Sequence, residues 1–447
     1  MNILIVGAGI SGLATALLLA REGHQVLLYD KRTVLDQQTD GRSINFTISG
    51  RGLSVLSKLG LKEKVLANAA VLVGRILHLP KAKKVHYKYG TKKSQTLLSI
   101  RRSTLIDILL SSVTQEPNIQ LHSGFELITI EEKMLTCHFF NTTNKKDVFI
   151  KADMIIGADG VFSAVRAFVL KKQISSYQQT VFDWGYKEYQ FEREDAEKLK
   201  LSLDHMHMWP KENALLVAIP NTDKTFSVIF TAPLRDSEGK LNHFDELVKR
   251  ACCDVVSIAP SFLSKSGKDP YHYLISIKVD KWHLDDKIIL IGDACHATYP
   301  FYGQGMNSAL EDAVLLSNSI DNKTLSTLDA FSLYEKTRKK DTDALHRLSE
   351  GHLGQMTKAM ISPFFQACNM LDYQLARLLP NKWVYEYEMV AHSTINYSTV
   401  LTVVKKQNSK KRINGFFLMA LLVGFFLLQK DMINRRFHKK IITLAEN

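Results

Sequence analysis

Cysteine is scarce in this chain of 447 residues, with five cysteines scattered along its length. Their number is odd, Cys252 and Cys253 are adjacent, and no CxxC pair occurs, so neither a disulfide framework nor a zinc knuckle is supported. Proline and glycine have ordinary frequencies, and no sequence period repeats, which excludes collagen-like chains, solenoids and propellers. We therefore expect globular domains in a reducing compartment.

The chain also lacks an even distribution of charge. Its net charge is +13, but residues 405–447 contain ten Lys or Arg and only two Asp or Glu. This excess in the tail leaves a nearly balanced remainder, so we expect no nucleic-acid groove. No secretory or transit peptide is expected either, because residues 2–6 already read as a buried strand.

The basic tail contains one uncharged apolar run, residues 415–428. As a helix this run would be about 21 Å long, shorter than a hydrocarbon core of roughly 30 Å. Five basic residues precede it and five follow it, so the positive-inside rule gives no orientation. The tail predicts membrane association, either spanning the bilayer or lying in its plane, and a buried soluble helix is the alternative.

The strongest motif lies in the first thirty residues. A short apolar strand ends in the turn GAGISG, a helical pattern follows, and a second strand ends at Asp30. In such a βαβ unit, Gly7 permits the tight turn, Gly9 lets the backbone approach a pyrophosphate, and Gly12 lets the helix pack on the strand. Asp30 can accept a hydrogen bond from a ribose hydroxyl. The unit predicts dinucleotide binding, with a purely structural glycine turn as the alternative.

Two later strands end in similar turns. Residues 153–160 form an apolar strand that ends in Gly-Ala-Asp-Gly, and residues 288–294 form another with a Gly-Asp pair at its end. The second pair can place the carboxylate of Asp293 on a ribityl chain. A helix starting near Gly305 would aim backbone donors at the negative charge of a reduced flavin. Because no second GxGxxG follows a strand, the pattern favours a tightly held FAD.

These motifs, in this order, resemble those of the single-component (class A) flavoprotein aromatic hydroxylases. Within that class, several segments are similar to those of the kynurenine 3-monooxygenase family, and the resemblance covers roughly residues 1–430. It implies an FAD-dependent monooxygenase that converts L-kynurenine to 3-hydroxy-L-kynurenine with NADPH and O₂ through a flavin hydroperoxide, in tryptophan degradation towards quinolinate and NAD. The segments that carry it are GRSIN (41–45), YGTK (89–92), AIPN (218–221) and PFYGQGMN (300–307).

The resemblance also implies a substrate site. Arg75 and Tyr89 match a carboxylate-binding pair, and Tyr387, rather than the nearby Tyr385, matches a second tyrosine there. His352 stands where the family has asparagine; its spacing predicts an inward side chain that can still donate a hydrogen bond to substrate. The alternatives are an outward-pointing Arg75, an aromatic core position for Tyr387 and a satisfied core histidine at 352.

For FAD, the resemblance implies a longer set of positions. Arg102 opens a helical run, although its neighbour Arg101 leaves the register uncertain by one, and Ala164 replaces a hydroxyl-bearing residue of the family. His205 and His207 alternate on a strand without a third ligand, so we expect no metal site. The implied FAD positions are Gly7, Gly9, Ser11, Gly12, Tyr29, Asp30, Lys31, Arg32, Thr47, Arg102, Leu127, Ala164, Asp293, Met306 and Asn307.

The expected fold is α/β, with a Rossmann-type FAD-binding domain, an inserted antiparallel sheet over the substrate and a C-terminal helical region that ends in a hydrophobic membrane tail. The catalytic part would face the cytosol, at the mitochondrial outer membrane of a eukaryote or the cytoplasmic membrane of a bacterium. Two other functions stay open, a related hydroxylase of another carboxylated aromatic and a membrane-bound flavoprotein without hydroxylase activity. The expected domains are 1–70, 100–175 and 280–335 for FAD, 71–99 and 176–279 for the sheet, 336–404 for the helices and 405–447 for the tail.

Overall fold

The computed structural model describes residues 1–33, 45–266, 271–380 and 382–409. The strands are β1 Asn2–Val6, β2 Gln25–Asp30, β3 Asn45–Ile48, β4 Ala70–Leu72, β5 Gly74–His78, β6 Lys84–Lys88, β7 Leu97–Arg101, β8 Ile119–Ser123, β9 Phe125–Glu131, β10 Thr136–Asn141, β11 Lys146–Lys151, β12 Met154–Gly157, β13 Tyr177–Phe191, β14 His205–Lys211, β15 Ala214–Pro220, β16 Phe226–Pro233, β17 His272–Val279, β18 His283–Leu284 and β19 Ile288–Leu290.

The helices of the described residues follow the same chain order. They are α1 Ile10–Arg21, α2 Gly50–Lys58, α3 Lys62–Ala67, α4 Arg102–Val113, α5 Ala164–Lys172, α6 Arg193–Lys198, α7 Phe244–Ala251, α8 Cys253–Val256, α9 Asp293–His296, α10 Gly305–Ile320, α11 Thr327–Gly354, α12 Pro363–Leu378 and α13 Glu386–His392. A π-helical turn, Gln355–Ala359, continues α11, and residues 397–409 are helical.

A six-stranded sheet forms the cofactor half of the fold, in the order β18-β19-β12-β1-β2-β8. Its central strands are parallel and buried on both faces, as their unbroken apolar sequences require. Val6 pairs with Gly157, and Gly157 pairs with Leu290. Because the carboxyl ends of parallel strands meet at one edge, the three glycine turns converge there, where open α/β sheets bind their ligands.

A seven-stranded sheet, β17-β13-β16-β15-β14-β5-β6, forms the second half. It is antiparallel except where β14 runs parallel to β5, which places Arg75 beside Met206 and His207 beside Ile76. Since successive side chains of a strand alternate between faces, Arg75 and the histidines of β14 lie on opposite faces. Two smaller sheets, β11-β10-β9 and β3-β7-β4, complete the sheet structure of the described residues.

The α/β class predicted from the sequence is confirmed. Residues 1–398 form one compact unit that contains the four sheets of the described residues, and a second unit begins at Thr399 and is helical as far as residue 409. In the described part of the chain no helix is long and apolar enough to cross a membrane. The apolar run 415–428 and residues 41–44 of the GRSIN segment lie outside the described residues, so the membrane tail and the domain boundaries stay predictions.

Candidate active site

The first glycine turn is built for close packing at two glycines and for open space at the third. A Cβ atom on Gly7, whose φ is +105°, would lie 2.4 Å from the carbonyl oxygen of Ala158, and one on Gly12 would lie 1.9 Å from the oxygen of Gly7. A Cβ on Gly9 would meet no atom within 4 Å. Gly9 also precedes α1 without a side-chain cap, so the first N–H groups of this helix are available to a phosphate.

Asp30, at the end of β2, has both carboxylate oxygens engaged by protein donors. Oδ2 accepts from the Ala8 N–H at 2.7 Å, and the Arg32 guanidinium donates to both oxygens at 2.8 Å. Burial alone would raise the pKa of Asp30, but the Arg32 charge and hydrogen bonds outweigh it and lower that pKa. A ribose hydroxyl would therefore reach Asp30 by displacing one of these donors, which the sequence pattern did not predict.

The other positions around the predicted adenosine site divide between core and surface. Tyr29 is buried and stacks on His122 and Phe139, with ring centroids 4.5 and 4.6 Å away. Leu127 belongs to the same hydrophobic core, whereas Lys31 is exposed. Tyr29 and Leu127 thus shape the wall, and Lys31 can contact a cofactor only from the solvent side.

The turn after β19 presents a carboxylate. The side chain of Asp293 is exposed, while Ala294 and Cys295 beside it are fully buried. Desolvation raises the pKa of Asp293, and the charges of His296 and Arg102 act in the opposite direction. Arg102 is the first residue of α4, as the sequence predicted, and this brings its charge into range of Asp293. Ser11 lies against the same turn, because its Oγ would be 3.0 Å from a Cβ on Gly292.

Asn307 has a structural role that the sequence did not reveal. It is fully buried; its Oδ1 accepts from the Ser49 N–H at 3.0 Å, and its Nδ2 donates to the oxygens of Thr47 and Gly303 at 2.9 and 3.0 Å. The side chain therefore joins the end of β3 to the start of α10. Met306 and Asn307 lie in the first turn of α10, which has no side-chain cap. Their backbone N–H groups can therefore donate hydrogen bonds to a flavin.

Asp159 organises the Gly-Ala-Asp-Gly turn. Its Oδ2 accepts from the N–H of Ala164 at 2.7 Å, and its Oδ1 accepts from the Ser163 hydroxyl at 2.5 Å. Arg166 then donates to the oxygen of Ala294 at 2.9 Å, which ties this turn to the Gly-Asp turn. Ala164 itself is exposed at the start of α5 and has only its methyl group to offer.

A chain of buried charges, absent from the sequence analysis, holds α10 against its neighbours. Asp312 accepts from the Gly292 N–H at 3.1 Å, from His296 at 2.5 Å and from Arg338 at 2.6 Å. Burial would raise the pKa of Asp312, but His296 and Arg338 lower it. The Oε2 atom of Glu311 lies 3.6 Å from Nη1 of Arg338, and its Oε1 atom accepts from Nη1 of Arg51 at 3.0 Å. The Nε atom of Arg51 also donates to the carbonyl oxygen of Val390 at 2.9 Å. The network fixes the Gly-Asp turn and links it to α13.

Arg75 is the central charge of the second pocket. It is only 7% exposed, and among the described residues it has neither a hydrogen bond nor an ion pair. Its guanidinium carbon lies 5.3 Å from the ring centroid of Tyr387 and 5.6 Å from that of Tyr87. A buried cation without an anion is costly, so this geometry calls for a bound anion such as a carboxylate.

Phenol rings surround that guanidinium. Tyr387 stacks on Tyr89 at 5.4 Å between centroids and lies 6.1 Å from Tyr302. The hydroxyl of Tyr89 is buried and has no partner, so it can donate to a ligand. Burial raises the pKa of Tyr387 to about 12, while Arg75 pulls it down. These phenols therefore stay protonated at neutral pH and act as donors.

His352 is buried beside this cluster, with its ring stacked on Tyr302 at 4.0 Å. Its Nδ1 lies 3.1 Å from Oε1 of Gln355, which can only accept, so Nδ1 carries the proton. Burial, and then the charge of Arg75, lower the pKa of His352 to about 3. With this tautomer the buried Nε2 is an acceptor without a partner, so it can accept a hydrogen bond from a ligand, and the substrate contact of His352 stays a prediction.

Helix α13 closes the pocket with three consecutive side chains. Glu386 accepts a hydrogen bond from the hydroxyl of Tyr302, Tyr387 faces Arg75, and Glu388 accepts from the Thr91 N–H at 2.8 Å. Gln95 donates to the other oxygen of Glu388 at 2.7 Å. The YGTK segment is thus bound to α13, and the four residues predicted for substrate are brought together.

The comparisons with known proteins agree with this geometry. The FAD binding domain family matches residues 1–325. The kynurenine 3-monooxygenase of Salinispora arenicola is 33% identical over 436 residues, which cover 95% of this chain and 94% of the relative. The chain belongs to the kynurenine 3-monooxygenase family. The Drosophila willistoni member is also 33% identical, with 94% of each chain covered.

Solved structures of proteins with lower sequence identity have a similar fold. 2-Methyl-3-hydroxypyridine-5-carboxylic acid oxygenase has a TM-score of 0.67 at 20% identity, with 86% of this chain and 98% of that one covered. PqsL of Pseudomonas aeruginosa, in complex with 2-aminobenzoylacetate, has a TM-score of 0.64 at 18% identity, covering 82% of this chain and 99% of that one. At such identities the likeness establishes the fold alone.

Some site residues escaped the sequence analysis. Tyr302 lies in the PFYGQGMN segment that carried the family resemblance, but the signal there was a flavin motif and not a phenol that stacks on His352 and Tyr387. Asn45, at the end of GRSIN, donates to Asn221 of AIPN at 2.7 Å, so two segments that resemble the kynurenine 3-monooxygenases form one buried contact. Within the described ranges no group of three potential ligands can hold a metal ion.

Proposed function

We propose that this chain hydroxylates L-kynurenine to 3-hydroxy-L-kynurenine, with bound FAD and with NADPH and O₂ as co-substrates. The observation that carries the proposal is the buried Arg75 without an anion, ringed by phenols that stay protonated. A kynurenine carboxylate supplies the missing charge, and the Tyr89 and Tyr387 hydroxyls are in position to donate to it. Family membership makes another carboxylated aromatic, or a flavoprotein without hydroxylase activity, the less favoured reading.

The first glycine turn, the exposed carboxylate of Asp293 and the uncapped start of α10 form a donor and acceptor set that fits FAD. When bound, the flavin would supply the activation of O₂ for ring hydroxylation. The residues of this chain hold the substrate and exclude water. Tyr302 and Tyr89 are buried, so the pocket around Arg75 is shielded from solvent, which favours hydroxylation over wasteful peroxide release.

We also propose that the chain is membrane-associated through residues 405–447, with the catalytic part in the cytosol. The support is the sequence of the tail, an apolar run between two basic clusters. A variant ending at residue 404 should sediment with membranes to a clearly smaller extent than the full chain does when a lysate is ultracentrifuged. Equal distribution of both proteins would contradict the tail assignment.

The experiment for the reaction uses the purified full-length chain with FAD. NADPH oxidation is followed with and without L-kynurenine, while chromatography quantifies 3-hydroxykynurenine. Stimulated oxidation matched by product supports the proposal. Stimulation that yields only H₂O₂ would make kynurenine an effector and point to another aromatic acid, and FAD binding without stimulation would favour the non-hydroxylating alternative.

A further inference from the structure

Helix α12, Pro363–Leu378, differs from an ordinary surface helix because it has polar residues on the side that faces the protein and apolar residues on the side that faces solvent. Its protein-facing side carries polar residues, since Asn369 lies beside the hydroxyls of Tyr87 and Tyr385, and Asp372 accepts from the indole N–H of Trp383 at 3.2 Å. Ala376 is the one buried residue of the helix, and the partly buried Phe365 packs against the neighbouring hydrophobic cluster. The burial of apolar surface that normally holds a helix in place is therefore small here.

The outward side of α12 is mainly apolar, with Gln374 and Arg377 as its exposed polar residues. Phe364, Met370 and Leu378 are exposed by 61, 65 and 72% of their surface, and Leu379 just beyond the helix is exposed by 46%. At 100° per residue the first three fall within one half of the helix circumference. Single exposed apolar residues are ordinary, but a contiguous face of this kind marks an interaction surface.

A basic hairpin lies beside this face. Residues 80–93 contain six lysines and no acidic residue, and they include β6, which is an edge strand. The hairpin touches α12 through Lys83, whose Nζ donates to Oε1 of Gln366 at 3.3 Å. Lys81 and Lys83 at the turn are exposed. A helix that lies in a membrane interface typically has an apolar face bordered by basic residues, and the apolar side of α12 beside these lysines has that pattern.

We propose that the outward face of α12 and the lysines of this hairpin dock on the surface of an anionic lipid bilayer. The apolar side chains enter the boundary between headgroups and acyl chains, and Lys81 and Lys83 contact anionic headgroups. Charge argues against a second copy as the occupant, because a symmetric contact through this face would bring two lysine-rich hairpins together. The docking concerns residues 80–93 and 363–379 and is separate from any membrane contact of residues 405–447.

Hydrogen exchange on the full-length chain can locate the contact. The protein is mixed with phosphatidylcholine vesicles with and without phosphatidylserine, and exchange is read in peptides from 363–379 and 80–93. We expect protection of both peptides on the anionic vesicles. A triple variant, Phe364→Ser, Met370→Ser and Leu378→Ser, should lose that protection and bind vesicles at least tenfold more weakly. Lys81→Gln and Lys83→Gln should each weaken binding to anionic vesicles about fivefold.

A matched triple variant removes exposed apolar residues elsewhere, Phe149→Ser, Ile174→Ser and Leu328→Ser, and should bind as the unaltered chain does. Circular dichroism and flavin content verify that both triple variants are folded. Vesicle binding without protection of 363–379 would assign membrane contact to another segment and overturn the proposal. Protection that grows with protein concentration in the absence of lipid would identify a second copy as the occupant and overturn it as well.

Discussion

The guanidinium of Arg75 lies 5.3 Å from the ring of Tyr387, although the two residues come from β5 and from α13 near the other end of the folded chain. Among the described residues the Arg75 guanidinium makes no ion pair with a carboxylate. Stability alone would favour an apolar residue at this position, because an unpaired buried charge destabilises a fold. The arrangement is understandable if the pocket is built to receive the carboxylate of a substrate.

Arg75→Ala should retain FAD and lose kynurenine-dependent turnover. Loss of a charge-assisted contact predicts a fall in kcat/KM of about a hundredfold, measured from product formation. The thermal midpoint should not fall, since the substitution removes an uncompensated buried charge. Arg347→Ala, at an exposed arginine, is the control and should leave both quantities unchanged. Normal turnover in the Arg75 variant would remove the substrate-site assignment.

His352 should not make catalysis pH-dependent near neutrality. Its pKa of about 3 lies far below the ordinary histidine value, so the ring is neutral from about pH 5 to 8 and does not titrate there. The pH profiles of kcat/KM for the unaltered chain and for His352→Asn should therefore have the same shape. An inflection near pH 6 that the substitution abolishes would show that His352 is protonated in the working enzyme.

Two glycines of the first turn should respond differently to alanine. Gly9→Ala places its methyl group in open space at an ordinary φ of −77°, so the fold should persist while FAD binding weakens at least tenfold. Gly12→Ala drives its Cβ to 1.9 Å from the Gly7 oxygen, so we expect about 1–3 kcal/mol or more of destabilisation. Flavin fluorescence titration and urea unfolding separate the two effects, and equal stability of both variants would contradict the packing argument.

Asp312→Asn should be strongly destabilising. The substitution leaves Arg338 and His296 without their shared buried carboxylate, and breaking such a pair costs about 3–5 kcal/mol. Asp321→Asn is the control, because Asp321 pairs with His24 at a partly exposed site and its loss should cost less than about 1 kcal/mol. Urea unfolding of the FAD-loaded proteins measures both values, and similar costs would contradict a special role of the buried network.

The free energy of unfolding should fall as the pH is lowered from about 7 to 4. His78 and His207 form a hydrogen-bonded pair at 2.9 Å, and burial lowers their pKa values to about 3 and 4. In the unfolded chain they would take up protons near pH 6.5, so the unfolded state binds more protons across this range. Each contributes at most about 1.4 kcal/mol per pH unit, a limit approached between its folded and unfolded pKa values. Urea titrations across that range measure the slope, and His207→Gln should reduce it; an unchanged slope would exclude this pair as its source.

The parts that sequence predicted well are those where a local pattern has one physical interpretation. GAGISG after an apolar strand required Gly7 and Gly12 to pack closely, and the structure shows both contacts. An antiparallel sheet was expected within residues 176–279, and β15 and β16 of that segment pair antiparallel. The family resemblance brought Arg75 and Tyr387 into one hypothesis, which spacing alone could not do for residues so distant in the chain.

What the sequence could not predict is which hydrogen-bond partners the folded chain selects, whether they are near or far in the sequence. The residues around Asp30 do not indicate that Arg32, two positions later, and Ala8 occupy its carboxylate, and nothing near Asn307 indicates that its amide joins β3 to α10. The tautomer of His352 is set by Gln355 across a π-helical turn, a distortion that hydrophobic spacing does not reveal. Such details follow from tertiary packing, which fixes the final hydrogen-bond partners.

The strand order of the six-stranded sheet also bears on how the chain acquires its cofactor. β1 lies between β2 and β12, and β12 pairs with β19, so the edge that receives FAD is assembled from the beginning, the middle and the later part of the chain. Such non-local pairing is slow, because loop closure must precede the contacts that stabilise it. During synthesis the N-terminal βαβ unit leaves the ribosome long before its neighbouring strands exist. We therefore expect FAD to bind late in the folding of this chain, after residues near 290 have joined the sheet.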